Sequence, residues 1–206
     1  MRPTCLRCLR PAAHCLCEGL PSIPARTRVV LLQHPREARL AICSAWLTHL
    51  ALSNSELHRG IRFGAHPRLR ALLAAPGTTL LFPGEGARLA ASLAGEPPAH
   101  LVVIDGTWLQ AAKMLRENPE IAKLPRVAIC AETSGYRGLR REPGPEHLST
   151  LEAVASALSA FEGDPGRFEP MREAFGRMVA RQLDCARGER RNPRHRGAGG
   201  REPVSR

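Results

Sequence analysis

The sequence predicts one α/β domain with a mostly parallel sheet flanked by helices. Its 206 residues match the size of a single domain with a small addition. Short runs of aliphatic and β-branched residues are typical of buried strands, and segments with helical spacing lie between and after them. Continuous apolar strands that alternate with helices favour a parallel sheet, because helices then cover both of its faces.

Four buried strands are predicted, each from a short apolar run. The first is RVVLLQ at 28–33, and the second is TTLLF at 78–82, which is stopped by Pro83-Gly84. LVVID at 101–105 and RVAIC at 126–130 follow. In open parallel sheets, ligands lie beyond the carboxyl ends of the strands. The segments that follow the last three strands are therefore candidate walls of one pocket.

Four helices are predicted from apolar residues that recur at helical spacing. They cover 37–52, 107–117, 149–161 and 169–187. Residues 1–24 are rich in Cys, Pro and Arg and lack this periodicity, so we expect a small knuckle that a core does not hold together. Residues 25–187 then form the α/β domain. Residues 188–206 combine Arg with Gly and Pro and predict a disordered basic tail.

Composition excludes several classes of protein. Hydrophobic residues make up 43% and charged residues 24%, so a disordered polymer, a collagen and a coiled coil are not expected. The longest stretch without Asp, Glu, Lys or Arg, at 40–55, is shorter than the roughly 20 residues of a membrane span. The N-terminus lacks the apolar core of a secretory signal, so we expect a cytoplasmic protein with no membrane partner. The formal net charge of +11 favours a polyanionic partner such as nucleic acid.

Four of the seven cysteines lie near the N-terminus, as Cys5-x2-Cys8 and Cys15-x-Cys17. The first pair has zinc-knuckle spacing, and four thiolates leave no open position on a tetrahedral ion. We therefore predict a structural zinc site in a reducing compartment. Two alternatives stay open: His14 replaces one of the cysteines, or the four thiols are free. The remaining cysteines are interpreted as small buried apolar residues, namely Cys43, Cys130 and Cys185.

Asp105 stands where the third predicted strand stops, and Gly106 and Thr107 lead from there into a helix. Thr107-x-x-Gln110 has the spelling of a capping box. A carboxylate here faces the ligand crevice, beside the positive end of a helix that favours its charged form. Asp105 is then either a base that takes or orients a proton, or a helix cap. Trp108 is either a core anchor or a stacking surface for a base or an adenine.

A second capping box, Ser149-x-x-Glu152, opens the third predicted helix. Its N–H groups either serve the cap alone or bind a ligand carboxylate. Upstream, Tyr136 and neighbouring arginines, Arg140 among them, either grip phosphate and a base or form a solvated basic loop. His34, after the first strand, is an acid or base, a phosphate contact or a structural histidine.

Six segments occur in a characteristic order between about residues 5 and 185. They are the cysteine cluster, Gln33-His34-Pro35-Arg36-Glu37, Leu81-Phe82-Pro83-Gly84, Asp105-Gly106-Thr107-Trp108, Tyr136-Arg137-Gly138-Leu139-Arg140 and Leu148-Ser149-Thr150-Leu151-Glu152-Ala153. In this order and spacing they resemble the DTW-domain family of tRNA-uridine aminocarboxypropyltransferases. One departure from the family pattern is Ala41-Ile42-Cys43-Ser44, where an Asn-Thr pair is expected.

The resemblance implies a fold of the SPOUT class, whose C-terminal part is knotted, an exception to the rule against knots. It implies transfer of the 3-amino-3-carboxypropyl group of S-adenosylmethionine to N3 of a tRNA uridine, with release of 5′-methylthioadenosine. The implied partners are tRNA and S-adenosylmethionine, with a structural zinc ion. A monomer is favoured, although SPOUT relatives are often dimers.

The resemblance also implies roles for individual residues. Asp105 would take or orient the uracil N3 proton. The residues that hold S-adenosylmethionine would be Phe82, Pro83, Gly84, Ser149 and Thr150. The residues that contact the substrate would be His34, Thr107, Trp108 and Arg140. The ligands of zinc would be Cys5, Cys8, Cys15 and Cys17.

Three competing functions are weighed against this one. A SPOUT methyltransferase would use the same substrates but release S-adenosylhomocysteine. A zinc-stabilised RNA-binding module without catalytic activity would not need Asp105. A generic α/β phosphate-binding protein would carry a strict glycine loop before a helix, and the sequence has none.

Overall fold

The computed structural model describes residues 3–40, 43–129 and 148–191. Its strands are β1 (Arg28–Gln33), β2 (Ser55–Arg59), β3 (Thr78–Leu81), β4 (Arg88–Leu89), β5 (His100–Asp105) and β6 (Arg126–Ala128). They pair in the order β2-β1-β5-β3-β6-β4, and every pairing is parallel. The predicted α/β class with a parallel sheet is therefore confirmed.

The helices flank this sheet. They are α1 (Ser44–Ala51), α2 (Pro67–Leu73), α3 (Trp108–Glu117), α4 (Pro119–Ala122), α5 (Thr150–Glu162) and α6 (Glu169–Arg191). Short 3-10 turns lie at Ala12–His14, Glu37–Arg39 and Ala90–Leu93. Within the described ranges, no helix has the length and apolar character that crossing a bilayer requires.

The core has two halves, one on each face of the sheet. Val29 and Leu31 pack with α1, α5 and α6, whereas Val30 and Leu32 pack with α2, α3 and α4. All four side chains are fully buried. Successive side chains of a strand point to opposite faces, so a continuous apolar run is what a two-sided core requires.

The four predicted strands are confirmed, with ends that differ by at most two residues. The single helix predicted over 37–52 is wrong in its first part. A 3-10 turn occupies Glu37–Arg39, and α1 begins only at Ser44, where the Cys43 side chain accepts a hydrogen bond from the Trp46 N–H. The last helix runs to Arg191, past the predicted end at 187.

Four elements were not predicted, namely the strands β2 and β4 and the helices α2 and α4. The sequence of β2 is SELHR, without an apolar run, because it is an edge strand whose side chains are half-buried or exposed. Its register is nevertheless regular, since Gln33 at the end of β1 pairs with Arg59 at the end of β2. The edge strand therefore brings a charged residue to the same rim of the sheet as the predicted site.

The N-terminal segment, which carries the cysteine cluster, is docked on the main domain. Leu16 is buried within the α1–α5–α6 core. Arg177 donates to the Gly19 carbonyl over 2.8 Å, and Arg181 donates to the Cys15 carbonyl. The indole Nε1 of Trp46 donates to a backbone carbonyl of the same segment. These contacts fix the segment against α1 and α6.

Several expectations lie outside the described residues. The resemblance implies a knot in the C-terminal part of the domain, and residues 130–147, between β6 and α5, are not among those described. Tyr136 and Arg140 belong to that range, as does Cys130. Most of the predicted tail, 192–206, is also outside it.

Candidate active site

Three side chains form a row along the carboxyl edge of the sheet. The strand register places Asp105 of β5 next to Gln33 of β1, and Gln33 next to Arg59 of β2. Gln33 Nε2 donates to Asp105 Oδ2 over 2.9 Å, and Arg59 Nε donates to Gln33 Oε1 over 3.1 Å. Gln33 is fully buried and Asp105 is 7% exposed. A buried amide therefore links an exposed cation to a buried carboxylate.

The Asp105 carboxylate is held on both oxygens. Gln33 donates to Oδ2, and the Thr150 hydroxyl donates to Oδ1 over 2.6 Å. Thr150 is the first residue of α5, so the N-terminal end of that helix lies beside the carboxylate and favours its charged form. Two donors from two elements fix the orientation of the group. The arrangement suits a carboxylate that accepts or orients a proton.

Cys43 lies beside this pair and takes part in it. Gln33 Nε2 also donates to Cys43 Sγ over 2.9 Å. Burial raises the pKa of the Cys43 thiol, and the negative charge of Asp105 raises it further. Cys43 is thus a neutral thiol that caps α1 and contacts the site, rather than the buried apolar residue that the sequence suggested.

The turn after Asp105 has the predicted capping box. The Thr107 hydroxyl accepts from the Gln110 N–H over 3.3 Å, and Gln110 Oε1 accepts from the Thr107 N–H over 2.6 Å. A Cβ on Gly106 would lie 3.1 Å from both the Cβ and Oε1 of Gln110, so the close turn favours glycine. Thr107 therefore has a capping role, and its predicted substrate contact stays a prediction.

On the β3–β6 side of Asp105, the side chains of Phe82, Trp108 and Arg126 form a surface that we call the aromatic wall. The Phe82 and Trp108 rings are 5.5 Å apart in an edge-to-face arrangement, and Trp108 is 48% exposed. The Arg126 guanidinium lies 5.7 Å from the centre of the Phe82 ring. Gly84 has φ +144°, and a Cβ there would lie 2.7 Å from Arg126 Nη1. Trp108 is thus not a core anchor, and the wall offers ring faces and a close backbone approach to a ligand.

The remaining predicted residues have identifiable local partners. His34 is buried, and its Nδ1 accepts from the Arg36 N–H over 3.2 Å. The Ser149 hydroxyl accepts from the Glu152 N–H in the predicted capping box of α5. Their assigned roles toward substrate and S-adenosylmethionine stay predictions. Pro83 follows β3 beside Phe82, and Arg140 lies outside the described residues.

The four N-terminal cysteines converge, as predicted. The Sγ atoms of Cys5, Cys8, Cys15 and Cys17 all lie within 4.8 Å of one another. The Cys5–Cys17 and Cys8–Cys15 sulfur pairs are each 3.7 Å apart. A disulfide has sulfurs about 2.05 Å apart, whereas a tetrahedral Zn²⁺ with Zn–S bonds of about 2.3 Å has sulfurs about 3.8 Å apart. The spacing fits a tetrahedral ion, so this cluster could hold a metal.

At Cys5, backbone groups favour the thiolate, whereas at Cys17 the surroundings favour the thiol. Hydrogen bonds from the backbone N–H groups of Cys8 and Arg7 lower the pKa of Cys5 to about 6. Burial, together with the neighbouring thiols, raises the pKa of Cys17 to about 12. His14 is not in the sulfur cluster; its Nε2 lies 3.6 Å from Cys185 Sγ. The structure thus favours the four-cysteine set over replacement by His14.

Residues 2–183 match the DTW domain family. The chain belongs to the DTW family. The match covers nearly all of the described structure, including the cysteine cluster and the Asp105 row. No solved structure matches this DTW protein.

Named relatives of this DTW protein are enzymes of tRNA modification. It is 31% identical over 191 residues to a Drosophila melanogaster protein named tRNA-uridine aminocarboxypropyltransferase 2, covering 89% of this chain and 76% of the fly protein. The Macaca fascicularis protein of the same name is 34% identical over 170 residues, with 78% and 57% covered. Arabidopsis thaliana tRNA-uridine aminocarboxypropyltransferase A is 30% identical over 200 residues, with 82% and 76% covered.

Gln33 and Arg59 are the site residues that sequence reasoning missed. Gln33 stands in a segment that the resemblance singled out, but only its neighbour His34 was assigned a role. The available signal was positional, because a polar residue at the end of a buried parallel strand faces the same crevice as Asp105. Arg59 gave no such signal, since β2 has no apolar run.

Proposed function

We propose that this DTW protein transfers the 3-amino-3-carboxypropyl group of S-adenosylmethionine to N3 of a uridine in tRNA. The names of its relatives support a transferase that acts on tRNA uridine. The observation that carries the proposal is the buried Asp105 carboxylate at the carboxyl edge of the sheet, held by Gln33 and Thr150. A fixed carboxylate is what removal of a uracil N3 proton requires.

The chain's residues would perform the proton transfer and the positioning. Asp105 accepts the N3 proton as the N3 lone pair forms a C–N bond to the donor's γ-carbon. The C–S bond breaks and its electron pair stays on sulfur, so methylthioadenosine leaves as a neutral thioether without an acid catalyst. Asp105 then returns the proton to water. S-adenosylmethionine supplies the activated carbon, and positioning of the two reactants supplies most of the rate.

The aromatic wall has the groups that an adenosine ligand requires. Phe82 offers a ring face that the edge-to-face contact with Trp108 holds in place, and Pro83-Gly84 allows the backbone to approach a ligand closely. Thr150, which already holds Asp105, would keep the donor's amino acid end close to the base, with the Ser149 cap at the same helix start. In this assignment His34, Thr107, Trp108 and Arg140 serve the RNA.

Zinc would have a structural role in the knuckle of residues 1–24, on the catalytic domain of 25–187. Four thiolates complete a tetrahedral ion and leave no position for substrate. The ion would hold the segment that packs on α1 and α6, close to the Asp105 row. Reduced cysteines suit the cytoplasm, where we expect the enzyme to act on tRNA.

A product assay tests the proposal. The full chain is incubated with unmodified tRNA and S-adenosylmethionine, and the small product is identified by mass spectrometry beside Asp105→Asn. Asn keeps the shape but cannot take the proton, so we expect methylthioadenosine release to fall by at least about 100-fold, within the usual range for general base catalysis. S-adenosylhomocysteine would identify a methyltransferase instead, and equal activity of Asp105→Asn would exclude the base role.

A further inference from the structure

A cavity of about 400 Å³ lies between the cysteine knuckle, α1 and the C-terminal half of α6. It is on the β1–β2 side of Asp105, whereas the aromatic wall of Phe82 and Trp108 is on the β3–β6 side. We propose that this cavity binds a nucleotide of the RNA substrate that adjoins the target uridine. The inference rests on the proposed function, since it takes RNA to be the substrate.

The positive charge of the cavity lining indicates an anionic ligand. Its side chains include Arg10, Arg39, Arg59, Arg181 and His14, and no Asp or Glu is among its described residues. Arg181 donates to the carbonyl of Cys15, and Arg10 Nη2 donates to the sulfur of Met178, so these two arginines hold the knuckle against α6. Phosphate oxygens are the natural partners of the remaining guanidinium groups.

The other two arginines of the lining, Arg39 and Arg59, have no hydrogen bond to the knuckle among the described residues. Both are exposed, and neither forms an ion pair with an acidic residue of the described ranges. Arg59 is oriented, because its guanidinium lies 5.3 Å from the centre of the Trp46 ring while its Nε bonds to Gln33. An arginine fixed on an aromatic face is a typical means of gripping a nucleotide.

The position of the cavity agrees with this occupant. Arg59 is joined to Asp105 through the single side chain of Gln33, so a phosphate on Arg59 lies close to the proposed base. The volume falls in the range of small-ligand pockets, roughly 300–1,000 Å³. The two sides of Asp105 thus separate the reactants, with the donor toward β3 and β6 and the RNA toward β1 and β2.

Charge reversal at Arg39 tests the proposal, with the same reversal at Arg70 as the matched control. Arg39 has no side-chain partner among the described residues, and Arg70 is exposed on α2, on the opposite face of the sheet. The affinity for a fluorescent unmodified tRNA is measured at fixed salt. We expect Arg39→Glu to weaken binding at least tenfold and Arg70→Glu to change it less than twofold. Equal effects of the two reversals, or none, would overturn the proposal.

A crosslink locates the RNA independently of activity. The target uridine's neighbours are replaced by 4-thiouridine, the complex is irradiated, and the attached peptide is identified by mass spectrometry. We expect attachment within 36–46 or 178–185, and attachment only elsewhere would overturn the proposal. Weaker S-adenosylmethionine binding by Arg39→Glu, with unchanged RNA binding, would assign the cavity to the donor instead. A wild-type chain that releases no methylthioadenosine but crosslinks here would refute the proposed reaction and keep the RNA site.

Discussion

At the scale of single residues, Gln33 determines how the proposed base is held. It donates to Asp105 and Cys43 and accepts from Arg59, while being fully buried. Gln33→Met keeps the size but removes these hydrogen bonds. A hydrogen bond to a charged group is worth about 1.5–3 kcal/mol, so we expect kcat to fall roughly 10- to 100-fold.

The pH–rate profile separates positioning from a general loss of folding. A carboxylate that loses a hydrogen-bond donor keeps its proton to higher pH. The acid limb of the Gln33→Met profile should therefore shift to higher pH. A matched pair at the other oxygen serves as control: Thr150→Ser keeps the hydroxyl and the profile, while Thr150→Val shifts it. An unchanged profile in both Gln33→Met and Thr150→Val would mean that neither residue positions the base.

Gly84 provides a second test at this scale. Alanine there is strained at φ +144° and brings its Cβ to 2.7 Å from Arg126 Nη1. Backbone strain of this kind costs about 1–3 kcal/mol, so we expect Gly84→Ala to lower the free energy of unfolding by that amount and to raise the KM for S-adenosylmethionine. Urea unfolding and steady-state kinetics measure the two effects. Arg126→Ala in the same chain removes the clash and leaves the strain, so full recovery in the double variant would show that strain is unimportant.

Asp105 could be predicted from the sequence because it is a charged residue at the end of a continuous apolar run. The hydrogen bonds that orient Asp105 could not be predicted in this way. Those depend on the strand register, which pairs Gln33 with Asp105 although they are 72 positions apart. For Trp108 the sequence left two alternatives, because a residue in the first turn of a capped helix can be a core anchor or an exposed ring. Only the packing of the folded chain shows that the ring is half exposed.

At the scale of elements, the edge strand β2 is held by one carboxylate. Glu56 forms ion pairs with Arg28 and Arg68 and a hydrogen bond with His58. Burial works to raise the pKa of Glu56, but the hydrogen bonds from Arg68, His58 and Arg28 outweigh it and hold the pKa below its ordinary value. The strand was not predicted because a polar network, and not an apolar run, holds it in place.

The lowered pKa of Glu56 gives β2 a pH dependence. The stabilisation is fully present above the pKa in the unfolded chain, about 4.3, and is lost as pH falls through the lower folded pKa. The free energy of unfolding should therefore fall less between pH 7 and pH 3 in Glu56→Gln than in the wild type. Exposed Glu96→Gln is the control, because it also removes one carboxylate and leaves every other group that titrates between pH 7 and pH 3 unchanged. Equal pH dependence of the three chains would show that Glu56 does not stabilise the strand.

The cysteine knuckle is the second element with a direct test. Cys8 is buried within the sulfur cluster, and Cys185 lies outside it beside His14. We expect about one zinc per wild-type chain, as in other four-thiolate sites, and loss of most of it with a lower Tm in Cys8→Ser. Cys185→Ser should keep both the metal and the Tm. Elemental analysis and thermal unfolding measure these outcomes, and a metal-free wild type purified under reducing conditions would refute the site.

At the scale of the whole molecule, the knuckle, the row of Arg59, Gln33 and Asp105, and the aromatic wall lie along one edge of the sheet. The sequence predicted four of the six described strands, the cysteine cluster and the two helix caps, because each is a local pattern. It could not predict that the N-terminal segment packs on α6, more than 150 positions away, through contacts such as Arg177 with Gly19. Such long-range packing joins the knuckle to the edge of the sheet that carries the Asp105 row.

The net charge of +11 predicts salt-sensitive binding to tRNA, and part of it lies in residues 192–206, which carry four Arg and one Glu. Each phosphate contact contributes a slope of about 0.7–0.9 to the dependence of affinity on salt. Deleting 192–206 should therefore lower that slope by up to about 3 while leaving kcat at saturating tRNA within twofold, because the site residues remain. Binding titrations between low and physiological salt measure the slope. Replacing the four arginines by Gln in the full chain should have the same effect, and a loss seen only on deletion would mean that the segment contributes through something other than charge.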